Sequence, residues 1–151
     1  MLDDTDRRIL RQFQADPDLT TADLAARCGL TSATCWRRLE KMQSAGLIEG
    51  HEAVINWAAL GYTVEVSLRF TLDKTVSRAF DEFQAAAREV PEVLEIQTFL
   101  GRVDVRLSVI ARDMAHYQTL YRSRILTLPH IADIEALMHI ARIKSDQGLP
   151  L

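Results

Sequence analysis

At 151 residues, with 48% hydrophobic and 26% charged side chains, the chain has globular composition and enough length for one average domain or two small ones, which excludes disordered and collagen-like classes. Its net charge of -3 excludes a nucleic-acid binder that works through bulk positive charge, and the first fifty residues hold slightly fewer Lys and Arg than Asp and Glu, so any basic surface is confined to one face of one helix. No apolar run approaches the roughly 20 residues of a membrane-spanning helix, and two cysteines are too few for a disulfide framework.

The N-terminus, MLDDTDRRIL, carries acids on an amphipathic pattern where a signal peptide has a basic head and an apolar core, so a cytoplasmic location without membrane contact is expected. Asp3 or Asp4 caps a first helix whose apolar positions are Ile9, Leu10 and Phe13, ending at Pro17. Thr20 opens a short second helix with Asp23 as a weaker capping box; Leu24, Ala25 and Cys28 are its apolar face and Gly29 its stop. Thr31 caps a third helix that runs to Gly46. Two helices joined by a short glycine-containing break, with a third ahead of them, form the outline of a helix-turn-helix. The following LIEGHEAVIN suits a small wing or a linker strand.

From Tyr62 to Leu72 apolar and polar residues alternate, as in a strand with one buried face. TVSRAFDEFQAAAREV is helical, with Val76, Phe80, Phe83 and Ala87 on one side. VLEIQTFL and VDVRLSVIA read as strands joined tightly around Gly101. A helix from Asp113 to Thr127 and a last strand from Ile131 to Lys144 complete the order βαββαβ, the ferredoxin-like arrangement. The class is therefore α+β.

Stepping about 100 degrees per residue along the third helix places Cys35, Leu39 and Met42 in a buried stripe and Ala33, Thr34, Arg37, Lys41 and Ser44 opposite, with Trp36 and Arg38 on the flanks. Small residues in the first turn admit a helix close to base edges, hydroxyls bond bases or phosphates, and Arg or Lys meets phosphate or guanine. Thr31, Ser32, Ala33, Thr34, Arg37, Arg38 and Lys41 are the candidate DNA contacts; a solvated charged face is the alternative. Cys28 and Cys35 lack partners at metal-ligand spacing and the four histidines are scattered, so no metal site is expected and the thiols are assigned to the core. No local nucleophile signature is visible, and no catalytic residue or cofactor is assigned.

With these residues in place, LDDTDRRIL, DLTTADLAARCGLTSATCWRRLEKMQSAGLIEG, LGY, VPEVLEIQTFLGRVDV and LPHIADIEALMHIARIK resemble the Lrp/AsnC, or feast/famine, regulators over essentially the whole chain. The resemblance implies a winged helix-turn-helix domain over residues 1–50, a hinge or linker strand over 51–61, and a ferredoxin-like (RAM-type) effector and oligomerisation domain over 62–151. It implies double-stranded DNA as partner, a homodimer formed through the sheet, often an octamer built as a tetramer of dimers, and an amino acid or related small-molecule effector. It places that effector at Leu100, Gly101, Arg102, Val103, Asp104 and Ala136. Leu100, Ala136 and Val105 depart from the family's usual residues: two lost hydroxyls remove partners for a ligand carboxylate, which implies a more apolar or differently oriented ligand or a weakened site. The alternative implied by resemblance is a tetrapyrrole-processing decarboxylase without DNA binding.

Overall fold

The computed structural model describes residues 1–145 and 148–151, which fall into two compact units, Met1–Val54 with Lys144–Leu151, and Ile55–Ile143. The last residues thus pack with the first unit, although the expected boundaries count them with the second in sequence. The reason is local: the Arg11 guanidinium donates to the Leu151 carbonyl (2.7 Å), and Gln14 both donates to the Leu149 carbonyl (2.8 Å) and accepts from its N–H (2.9 Å).

The first unit holds α1 (Asp4–Ala15), α2 (Thr21–Arg27) and α3 (Ser32–Ser44). Each start is fixed by a side-chain oxygen accepting from a backbone N–H: Asp3 with Asp6 in a reciprocal capping box, Thr20 with Asp23, Thr31 with Thr34. Gly29 ends the second helix at φ 65°, where a side chain would be strained, and so permits the tight turn into α3. Ile9, Leu24, Ala25, Cys28, Cys35 and Met42 make the core of this unit, with Leu39 half-buried at its margin. Both thiols are free and buried, and burial raises both above the usual thiol range. The Cys28 thiol lies 3.8 Å from the Arg8 carbonyl, so it packs toward α1 as well as α3. The wing or linker strand expected over Leu47–Asn56 and over 51–61 does not form as a strand: this segment is loop with a turn at Trp57–Gly61. Its apolar residues do not alternate over more than a few positions, and Gly50 at φ 155° interrupts any extended pairing.

The second unit is one antiparallel sheet in the order β2-β3-β1-β4, formed by β1 (Val64–Leu72), β2 (Val93–Thr98), β3 (Val105–Ala111) and β4 (Ile131–Met138), with α4 (Ala79–Arg88) and α5 (Met114–Leu120) as the crossovers. This is the expected βαββαβ order. The core is Val66, Leu68, Phe70 and Leu72 of β1 with Val105, Leu107 and Val109 of β3, covered by Phe83, Ala87, Tyr117, Leu120 and Ile125. Three elements differ from expectation. In α4, Ala79 takes the buried place expected for Phe80, which is exposed, because the helix begins at Ala79 and turns Phe83 and Ala87 inward with it. The last strand stops at Met138 and not at Lys144: its ladder with β1 ends at the Val66–Met138 pair, beyond which, among the described residues, the only backbone bond to β1 runs from the His139 N–H to the Glu65 carbonyl. The helix expected to Thr127 is α-helical only to Leu120 and continues as a π-helical turn, Tyr121–Ile125.

Candidate nucleic-acid interface and effector loop

On α3 the wheel reading holds for most residues. Thr31, Ser32 and Ala33 are exposed, Thr34 is half-buried, and Arg37 and Lys41 are exposed with no ion pair among the described residues. The Thr31 hydroxyl donates to Thr34 Oγ1 (2.9 Å), so the cap that starts the helix also orients the second hydroxyl. Arg38 is a correction. Its guanidinium donates to Asp3 Oδ2 (2.8 Å) and Asp6 Oδ1 (2.7 Å), the two carboxylates of the α1 capping box. Those bonds hold the Asp3 carboxyl below its usual range and Arg38 above its own. A single residue step of about 100 degrees separates Arg37 from Arg38, and that rotation decides which meets solvent and which meets α1.

Trp36 is 54% exposed and rims a hollow of about 240 Å³ with Phe13, Pro17, Leu19, Leu24 and Leu39. It sits at the core edge, as a packing residue there does, with much of its ring in solvent.

The effector loop is built differently. Leu100 is fully exposed, Gly101 has φ 154°, and the Arg102 carbonyl accepts from the Thr71 hydroxyl (2.9 Å). Val103 lines a small cavity of about 270 Å³ with Arg69, Phe99 and Arg106. Asp104, assigned by resemblance as an acceptor for a ligand ammonium, is only 3% exposed. One carboxylate oxygen accepts from the Leu72 N–H (2.8 Å) and the other lies 3.3 Å from Lys74 Nζ, while its backbone N–H donates to the Phe70 carbonyl. It closes the irregularity at Thr71/Leu72 where β1 leaves its register with β4. Ala136 is exposed, lies opposite Leu68 on β4, and lines a different cavity, with Tyr117, Gln118, Tyr121, Arg122 and Leu126. Within one chain, then, the loop residues and Ala136 do not share a cavity. Sequence reasoning missed Lys74 and the Tyr117–Arg122 wall; the only signal for the latter is a pair of tyrosines four residues apart on a helix. Among the described residues no group of three or more His, Cys, Asp or Glu is placed to hold a metal ion.

Residues 2–49 match the family described as winged helix-turn-helix DNA-binding, and residues 65–149 match the Lrp/AsnC ligand binding domain. The chain belongs to the Lrp/AsnC family. It is 33% identical over 132 residues to the proline dehydrogenase transcriptional activator of Rhodobacter capsulatus, covering 87% of this chain and 86% of that one. It is 28% identical over 148 residues to the leucine-responsive regulatory protein of Escherichia coli K12, covering 98% and 90%. Among solved structures it is similar to a transcriptional regulator from Neisseria meningitidis in complex with L-Met, at a TM-score of 0.92 and 27% identity, covering 99% of this chain and 97% of that one. An AsnC family regulator from Agrobacterium tumefaciens gives 0.88 and 32%, with the same coverage. The Lrp/AsnC chain described here is a ligand-modulated transcriptional regulator with its DNA-binding helices in the first unit and its ligand-binding fold in the second.

Proposed function

We propose that this chain binds specific operator sequences as a homodimer, assembled further into a tetramer of dimers, and that an amino acid or related small molecule shifts the assembly between states of different DNA affinity. The observation that carries the reading is the division of labour on α3: Arg37 and Lys41 stand in solvent with no ion pair among the described residues, beside small and hydroxylated first-turn residues, while Arg38 is tied back to α1. Two such helices related by a two-fold axis reach successive major grooves about 34 Å apart. Unpaired cations there meet phosphates and guanine edges, and Thr34 and Ser32 meet bases or phosphates.

The amino-acid effector is supported by relatives solved with methionine, the Neisseria meningitidis regulator and the feast or famine regulatory protein of M. tuberculosis. Gly101 and Val103 supply backbone and an apolar wall, and Asp104 holds the loop in shape. The named relatives are regulators, and the protein is read as a cytoplasmic regulator and not an enzyme.

The test is fluorescence anisotropy with DNA from upstream of the protein's own and neighbouring genes, with and without each of the twenty amino acids. Salt-sensitive binding to a discrete site, altered by at least one amino acid, is expected. Absence of any sequence preference sinks the regulator reading; specific binding indifferent to every amino acid sinks the amino-acid effector alone.

A further inference from the structure

The cavity around Ala136 has features the effector loop lacks. Its volume is about 440 Å³, within the range of small-ligand pockets, which runs from roughly 300 to 1,000 Å³. Its wall is made where α5 gives way to the π-helical turn Tyr121–Ile125, an insertion that widens a helix and is frequent at functional sites. Tyr117 and Tyr121 stand with ring centroids 5.8 Å apart.

Tyr117 is only 7% exposed, yet its buried hydroxyl has no hydrogen-bond partner among the described residues. Folded proteins rarely leave such a group unmet, and those that do often reserve it for a ligand or water. Burial raises the Tyr117 phenol above its usual range, which keeps it protonated and a donor at neutral pH. Arg122 is exposed and makes no ion pair or side-chain hydrogen bond among the described residues. Leu126, the Tyr121 ring and Ala136 supply apolar surface. Among the described residues no carboxylate lines the cavity, so an ammonium group would enter without a counter-charge from them.

We propose that this cavity binds a small carboxylate with an apolar tail and no ammonium group, a 2-oxo acid being the class that fits: Arg122 meets the carboxylate, the Tyr117 hydroxyl donates to the 2-oxo oxygen, and the tail lies against Tyr121, Leu126 and Ala136. The site rests on the regulator reading, since it gives the ligand-binding fold a second input of different charge from an amino acid. The small side chain at position 136 leaves open the space that the tail occupies.

The experiment is calorimetric titration of the full-length protein with 4-methyl-2-oxopentanoate and phenylpyruvate, alongside leucine and phenylalanine, each repeated on Arg122→Gln, Ala136→Leu and Tyr117→Phe. Oxo-acid binding is expected at least tenfold tighter than that of the matching amino acids in this cavity. It is expected to weaken about tenfold or more in Arg122→Gln and to vanish in Ala136→Leu. Tyr117→Phe removes an unpartnered buried hydroxyl, so its Tm without ligand should rise by about 2–6 °C while the oxo-acid-induced shift in Tm shrinks. No heat with either oxo acid, or binding unchanged in Arg122→Gln and Ala136→Leu, overturns the proposal. Amino-acid binding abolished by Gly101→Val but indifferent to Arg122→Gln, with no oxo-acid response, places the ligand at the loop and overturns it while leaving the regulator reading intact. Oxo-acid binding by a protein that recognises no operator does the reverse.

Discussion

The face of α3 and the loop around Gly101 are both assigned to ligand recognition, but they hold their charges in opposite ways. On α3 Arg37 and Lys41 face water with no ion pair among the described residues, which suits a polyanion met at the surface. In the loop, Asp104 is turned inward and its oxygens are already engaged by the Leu72 N–H and Lys74. A residue carried over from a family motif can therefore keep its identity while its role is to hold backbone. The distinction is visible only when hydrogen bonds are counted.

Breaking the loop tests that contrast most severely. Asp104→Ala leaves the buried Leu72 N–H unsatisfied and removes a charged hydrogen bond, a loss of about 2–3 kcal/mol, or a fall in Tm of roughly 4–10 °C for a chain of this size. Thermal unfolding without any ligand reads it. An unchanged Tm would mean that Asp104 is free for a ligand and that the contrast with α3 is false.

The α3 side of the comparison is sharpened by Arg37→Ala, expected to weaken operator binding about tenfold or more without moving the Tm. Lys41→Ala should weaken binding nearly uniformly across sequences and lower the salt dependence by about one ion. Both measurements are anisotropy titrations over a range of salt. If Arg37→Ala binds as tightly as the parent, the exposed cationic face is merely solvated.

Much of this was legible before the structure. Helix starts at Asp3, Thr20 and Thr31, the glycine stop at Gly29 and the buried stripe of Cys35 and Met42 follow from capping chemistry and the 3.6-residue period, because each depends on neighbours close in sequence. The βαββαβ order was legible for the same reason. The ties of Arg38 to α1 are not legible in the sequence because its partners lie 35 and 32 residues away. A helical wheel places it on a flank but says nothing of what packs there. The separation of Ala136 from the loop is likewise a matter of strand register, β4 against β1, which periodicity within either strand does not specify. The π-helical turn Tyr121–Ile125 is not legible because its sequence, YRSRI, has ordinary helical propensity.

The finest test concerns the two adjacent arginines. Arg38 bonds hold the Asp3 carboxyl below its ordinary value of 3.8. A carboxyl whose folded value is depressed contributes stability that is fully present above the ordinary value and is lost as pH falls through the folded one. The Tm of the parent should therefore exceed that of Arg38→Met by its full margin at pH 5 and above, and the two should converge as pH drops below about 4. Asp73 and Glu82 are also held low, by Thr75 and His130 respectively, but they are present in both proteins and cancel in the difference. Operator affinity of Arg38→Met, measured at neutral pH well below its Tm, should match the parent, unlike that of Arg37→Ala. A margin in Tm that does not change between pH 6 and pH 3 would show that Arg38 stabilises α1 by packing of its stem and not through the carboxylates. Lost operator binding in a fully folded Arg38→Met would return it to the recognition face.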